Sequence, residues 1–317
     1  MIDPRLIAAV ETLIAAHTRP GHVPLIAISG SQGSGKTTLA RAVAARTGAV
    51  QLSLDDVYLT RAEREGLART VHPLFATRGP PGTHDLALLH RVIDAMSGAG
   101  PDERTALPAF DKRADDRLRP QTWPVIVGRP PAILLDGWCL GATPQDPAAL
   151  LAPVNALERN QDPDGRWRRA VNDQLAGPCR ALFARFDALL FLRAPSFDVV
   201  LDWRSEQEAG LMGLDPGALP VAERERLAGF VQAFERVTRH MLAGGVRATV
   251  TAALDAGRRP GVTERGAPRR GGGSRQGGGP PDRPRPRRPG ALALRRPVRR
   301  GRCRRGLGRL ESGQDHR

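Results

Sequence analysis

Residues 30–37, Gly30-Ser31-Gln32-Gly33-Ser34-Gly35-Lys36-Thr37, fit the pattern G-x-x-x-x-G-K-[ST] at every fixed position. A buried-strand pattern runs in and a helical pattern runs out, as the motif requires. The glycines let backbone N–H groups turn inward around phosphates, and the helix N-terminus adds positive potential. Lys36 is then the cation for the β- and γ-phosphates, the Thr37 hydroxyl is a ligand for Mg²⁺, and Thr38 continues the cradle. The chemistry implied is binding of Mg·ATP. A second metal-side group is expected at the end of another core strand, where Ala132-Ile133-Leu134-Leu135-Asp136 offers Asp136, acting through water.

Binding alone does not define a reaction. Leu52-Ser53-Leu54-Asp55-Asp56-Val57-Tyr58 follows the second strand and brings two carboxylates to its carboxyl end, where ligands bind in open α/β sheets. Either Asp55 or Asp56 could accept the proton of a substrate hydroxyl, as kinases require, and either could equally cap the next turn. Tyr58, the chain's one tyrosine, lies in the same segment. A third cluster, Phe110-Asp111-Lys112-Arg113 extending to Arg117, offers cations for an anionic acceptor, or else a solvated loop. Asp85 opens a helical pattern and suits a cap or a substrate contact, whereas His84 reads as structural. Of 48 basic residues only Lys36 and Lys112 are lysine, so these two are candidates for positions that need a compact ammonium.

The elements that must carry these residues read as strands alternating with helices. Apolar runs at 23–29, 50–54, 132–136, 188–193 and, more weakly, 247–254 predict strands, with a short one at 104–107. Helices are expected near 4–17, 36–46, 84–96, 165–185, 196–209 and 220–243. The fold class is α/β: a P-loop NTPase fold with a mostly parallel sheet covered by helices on both faces.

Composition bounds the rest. The chain has 317 residues, enough for one large domain, here expected over 1–260. No run is long and apolar enough to span a membrane, and 1–18 lacks a signal-peptide pattern. Three widely spaced cysteines, Cys139, Cys179 and Cys303, suit a reducing cytoplasm. The net charge of +15 is concentrated in 262–317, where 17 Arg against 4 acids give +13 and leave +2 for 1–261. The stretch 261–317 is rich in Gly, Pro and Arg and reads as a disordered tail. It could serve a polyanionic partner, be inert, or come from a shifted reading frame in GC-rich DNA; the abrupt change of character favours the last. The tail has no aromatic residue to stack on bases, which argues against a nucleic-acid-associated ATPase. A guanine reader of the N-K-x-D type is excluded by the positions of the two lysines. Motor ATPases are normally larger. A nucleotide-binding protein without an acceptor remains open at this level.

The order of motifs resembles the plant-type D-glycerate 3-kinase family and its bacterial homologues, within the uridine kinase, phosphoribulokinase and pantothenate kinase group. After the P-loop the matching pieces are Ser53–Thr60, Arg78–Leu86, Pro108–Lys112 and Ile133–Gly141, and the resemblance covers roughly 20–260. It implies ATP-dependent phosphorylation of a small-molecule hydroxyl, D-glycerate giving 3-phosphoglycerate, with a nucleoside, pantothenate or another hydroxy acid as alternative acceptors. By position it makes Asp55 the catalytic base, leaving Asp56, Tyr58 and Asp85 on the substrate side. Asp136 stands where plant members carry Glu. Arg204 lies where related kinases carry a lid arginine, a role that Arg193 could share. Lys112, Arg113 and Arg117 would meet the acceptor's negative charge. Neither the motifs nor the resemblance fixes an oligomeric state.

Overall fold

The computed structural model of the chain describes residues 2–215 and 217–265. The tail expected beyond 265 lies outside the described residues. Helix α1 (Pro4–His17) is capped by the Asp3 side chain and buries Leu6, Val10 and Leu13. Strand β1 (Leu25–Gly30) is buried at every position. It leads through the glycine-rich turn into α2 (Lys36–Thr47), whose N-cap Gly35 supplies no side-chain hydrogen bond. The first N–H groups of α2 therefore keep their free valence toward the turn. Strand β2 (Val50–Ser53) ends in a 3-10 turn over Leu54–Val57.

Helix α3 (Arg61–Thr70) was not expected, although Thr60 and Glu63 form a full capping box at its start and that spacing is legible in the sequence. Helix α4 (Leu86–Gly98) begins where expected, with Asp85 accepting the Leu88 N–H. Strand β3 (Arg104–Ala106), the pair β4 (Phe110–Asp111) and β5 (Asp116–Arg117), and β6 (Val125–Val127) form two small antiparallel ribbons, β3 with β6 and β4 with β5. Strand β7 (Ile133–Gly137) returns to the core. A single helix over 165–185 is not what forms. Instead, after the short α5 (Ala156–Gln161), there are α6 (Arg166–Ala176) and α7 (Pro178–Phe183), split at Gly177 because Pro178 cannot continue the ladder of the preceding turn. Strand β8 (Ala188–Arg193), α8 (Asp198–Leu211), α9 (Val221–Leu242) and β9 (Val250–Leu254) follow the expected order. A last strand, β10 (Pro260–Arg265), runs antiparallel to β9 and carries the fold past the boundary expected at residue 260.

The six strands of the main sheet lie in the order β10-β9-β8-β1-β7-β2, and every pairing but β9–β10 is parallel. Successive residues of β1 serve opposite cores. Leu25 and Ala27 pack with α4, α6, α7 and α9, while Ile26 and Ile28 pack with α1, α2 and Trp203 of α8. Burial on both faces is why these strands read as unbroken apolar runs rather than alternating ones. Among the described residues no helix is long and apolar enough to cross a membrane. Cys139 and Cys179 are buried free thiols.

Helix α9 brings Phe230 and Phe234 to the cleft described below and is fixed from behind by Arg236. That guanidinium donates to both Glu158 oxygens at 2.7 Å and to the carbonyls of Ala149 and Ala152. Glu158 is 0% exposed. Replacing it by alanine leaves a buried guanidinium without its counter-charge. Glu158→Ala should therefore lose about 3–5 kcal/mol in urea unfolding; a loss under about 1 kcal/mol, the size of an exposed pair, would show that the pair does not anchor α9.

Candidate active site

One cleft of about 1090 Å³ runs along the carboxyl ends of the strands. Its floor is the P-loop, from Gln32 to Thr38, with Asp136 beside it. Two glycines are required by close approach. A Cβ on Gly30 would stand 2.8 Å from the Leu192 carbonyl oxygen, and one on Gly33 would stand 2.6–2.7 Å from Trp203. The loop is thus pressed between the tip of β8 and the side of α8, and its conformation is set by what lies behind it.

Inside the loop, Lys36 Nζ donates to the Ser31 carbonyl at 2.8 Å. Burial lowers the pKa of this ammonium, while Asp136 and Asp55 act in the opposite sense. The Thr37 hydroxyl donates to Asp136 Oδ2 at 2.7 Å. Gln51 of β2 donates to Asp136 Oδ1 at 2.6 Å, and Ser53 approaches Oδ2 at 3.4 Å. Burial raises the pKa of Asp136, partly offset by Thr37, Lys36 and Gln51. The residues present fit Mg·ATP. A hydroxyl and a carboxylate in contact form an oxygen donor set of the kind Mg²⁺ takes. The buried Ser31 and Ser34 hydroxyls and both polar atoms of the Gln32 amide have no hydrogen-bond partner in the protein, as a phosphate-binding loop would present them.

The other end of the cleft is built on the turn after β2. Asp55 accepts the Tyr58 hydroxyl at 2.7 Å and Lys112 Nζ at 2.6 Å. Burial alone would push the Asp55 carboxyl up, but the Lys112 ammonium, the Tyr58 hydroxyl and Lys36 together hold it well below the usual carboxylate range. Tyr58 is itself clamped, stacked on His84 with centroids 4.7 Å apart and edge-on to Phe110 at 5.2 Å. Burial and the nearby Asp55 carboxylate push its hydroxyl well above 10. His84 is buried and lowered to about 4 by that burial, so it is neutral at ordinary pH. Lys112 is carried on the β4–β5 hairpin, whose tip is held by Asp115 against buried Arg64 at 2.9 Å and against Arg78.

Of the residues singled out by sequence, Gln32 to Thr38, Asp55, Tyr58, Lys112, Asp136 and Arg204 line the cleft. Gly30 and Ser31 lie at the base of the loop. Asp56 is adjacent but is not on the wall; it accepts the Phe110 N–H, and burial followed by the Asp55 charge raises its pKa to about 6. Asp85 caps α4 and accepts Arg117 at 3.0 Å, and Arg117 also faces Glu63 at 3.6 Å. Arg117 is thus engaged outside the cleft, and Arg113 is exposed on the hairpin. Arg204 pairs with Glu208 at 2.7 Å, and Arg193 ends β8 away from the cleft wall. Residues that sequence reasoning missed include Arg78, Gln51, Trp138, Phe230, Phe234 and Arg258. Arg78 stood inside the motif piece Arg78–Leu86 without a role. Gln51 is marked only by its register opposite Leu134, two residues before the Ser53–Asp136 level and so on the same face of β2 as Ser53.

A parallel sheet with a P-loop after its central strand and an acid at the tip of the strand beside it is the P-loop NTPase fold. In particular, the chain shares its fold with solved structures that include a D-glycerate 3-kinase. It aligns with D-glycerate 3-kinase from Cryptococcus neoformans var. grubii serotype A at a TM-score of 0.65 and 21% identity, covering 83% of this chain and 98% of that one. It aligns with the YGR205w protein at a TM-score of 0.57 and 21% identity, covering 82% and 97%. The match in sequence is slight, so the likeness is one of fold. No protein-family model and no curated protein matches the chain.

The raised pKa of Asp56 has a signed consequence. A carboxyl whose folded pKa lies above its unfolded value favours the fold while protonated. That contribution is complete below pH of about 4 and is lost as pH rises through about 6. The stability advantage of Asp56→Asn over the parent should therefore grow between about pH 4.5 and 7.5 in paired urea titrations, an interval that contains the rise through about 6. A difference that stays flat with pH would contradict the assignment.

Proposed function

We propose that this chain is an ATP-dependent, Mg²⁺-requiring kinase that phosphorylates a hydroxyl of a small anionic metabolite, D-glycerate to 3-phosphoglycerate being the foremost case. The observation that carries the reading is Asp55. An ionised carboxylate, bonded to Tyr58 and Lys112, faces the same cleft as the P-loop. A nucleotide-binding protein with no acceptor has no use for such a group there.

The P-loop amides and Lys36 bind and orient the phosphates, and Thr37 with Asp136 would hold Mg²⁺. When bound, Mg²⁺ neutralises charge on the phosphate oxygens and on the leaving diphosphate. Asp55 orients the acceptor hydroxyl in line with the γ-phosphorus. The new bond forms from the hydroxyl oxygen to phosphorus, the bond to the β–γ bridging oxygen breaks, and the hydroxyl proton passes to Asp55 and then to water. A low pKa suits this task. In a loose transition state the hydroxyl loses its proton late, so placement matters more than basicity. Lys112, bonded to Asp55, and Arg78, on the wall of the same cleft, are the cations an acceptor carboxylate could meet. Arg204 on α8 can turn from Glu208 toward the transferring group. The likeness to a solved D-glycerate 3-kinase favours glycerate over a nucleoside or pantothenate, and the cationic flank of Asp55 favours an anionic acceptor over a neutral one. Absence of a membrane-spanning helix among the described residues is compatible with a cytoplasmic enzyme.

Three measurements test this. In a coupled ADP-release assay with a panel of acceptors, D-glycerate should give the highest kcat/KM; equal turnover with water alone would overturn the kinase reading. Lys36→Ala should lose about 10³-fold or more in kcat/KM. Asp55→Asn should lose about 10²- to 10⁴-fold in kcat while Mg·ATP still binds. Undiminished turnover in either variant would remove that residue from the mechanism.

A further inference from the structure

Arg258 lies in the turn between β9 and β10 with φ of +64°. Among the described residues only one other non-glycine, Asp115, has a positive φ. The neighbouring Gly257 could adopt the left-handed conformation without strain, yet it is the arginine that does so. The turn does not need the arginine side chain to close. Asp255 closes it by accepting the Arg258 N–H at 3.0 Å and, through Oδ1, the Arg259 N–H at 2.8 Å.

The left-handed backbone sends the side chain back to the P-loop. Arg258 Nε donates to the Gly33 carbonyl at 2.7 Å. Its guanidinium lies 5.0 Å from the centroid of the Trp203 ring and pairs with Glu206 at 2.7 Å, so it also holds α8. Trp203 returns the contact by donating from Nε1 to the Ala256 carbonyl at 2.8 Å. Three segments far apart in sequence meet at this one side chain.

The consequence for the loop follows from peptide geometry. The unit joining Gly33 and Ser34 is planar and trans, so a carbonyl drawn toward Arg258 turns the Ser34 N–H the opposite way. That N–H points to the Ser31 carbonyl at 3.3 Å, the same oxygen that accepts Lys36 Nζ at 2.8 Å. It therefore lies on the inner side of the turn, where a phosphate oxygen entering the cradle would compete with the Ser31 carbonyl for it. Without the outward anchor only the close packing of Gly33 on Trp203 would oppose a flip of this peptide that offers its carbonyl to a phosphate instead.

We propose that Arg258 is a positioning residue for the nucleotide: it pins the Gly33 carbonyl outward so that the Ser34 amide faces the phosphate, and it ties that peptide to α8. This rests on the P-loop as the nucleotide site. Arg258→Gly separates the role from mere folding, because glycine accepts the left-handed backbone and loses only the side chain. Calorimetric titration of the full chain with Mg·ADP should show about tenfold or more weaker binding in the variant, the scale of one lost charge-assisted hydrogen bond. KM for ATP should rise in step while KM for the acceptor stays put, and a cooperative melting transition should show that the variant remains folded. Should glycine disturb the turn, Arg258→Lys repeats the test. It keeps the charge near Glu206 but cannot bridge Glu206 and Gly33 at once, and should also weaken Mg·ADP. Parent-like Mg·ADP binding in a folded variant would overturn the proposal and leave the kinase reading intact. Failure of the parent chain to bind Mg·ADP would overturn both.

Discussion

A phosphate-binding loop has to keep its N–H groups pointing inward although nothing in a glycine-rich turn favours that over the reverse. Here the constraint is met from outside. Leu192 at the tip of β8 and Trp203 on α8 approach Gly30 and Gly33 closely enough to forbid a side chain at either. The Lys36 ammonium holds the Ser31 carbonyl from within. With the loop fixed, the Thr37–Asp136 contact and the Gln51 bond to the same carboxylate fall into place, because β1, β7 and β2 are neighbours in the sheet.

The Asp55 end of the cleft is organised by charge more than by close packing. Asp55 is the hub, and its Lys112 partner rides on a two-residue strand pair that would be marginal alone. That hairpin is made rigid by Arg64, which is 1% exposed and donates to the carbonyls of Leu59, Ala76 and Asp115. A buried guanidinium that satisfies backbone carbonyls is costly to disturb. The same network places Arg78 on the cleft and Phe110 against Tyr58. The second carboxylate, Asp56, then feels both burial and the charge beside it, and the two aspartates diverge in pKa although they are adjacent in sequence.

How much of this was legible in the sequence depended on whether the signal was local. The P-loop, the Asp136 strand end and the Asp55 segment each sit in a contiguous run with its own period, and all three reach one cleft. The parallel sheet followed from unbroken apolar strands. Missed elements had specific causes. The Thr60–Glu63 capping box lies between stronger motifs, Pro178 interrupts an otherwise helical pattern, and Pro260-Gly261 has the composition of a break although it begins an edge strand. Cations were harder. Arg113 and Arg117 looked equivalent to Lys112, yet Arg117 pairs with Asp85 and Arg113 remains outside the cleft wall. Charge in a sequence does not say which neighbour will neutralise it. Arg258 had no local signature, since its partner is 225 residues away.

That separation has a consequence for synthesis. The ribosome delivers Gly33 early and Arg258 close to the end of the described domain, so the cradle is complete only after nearly every strand of the sheet has emerged. A growing chain carries the full P-loop motif long before the partner of its Gly33 carbonyl exists. Competence to grip a nucleotide is on this arrangement a late event in the birth of the molecule, and a product that stops short of the final hairpin would keep the motif without its outer support.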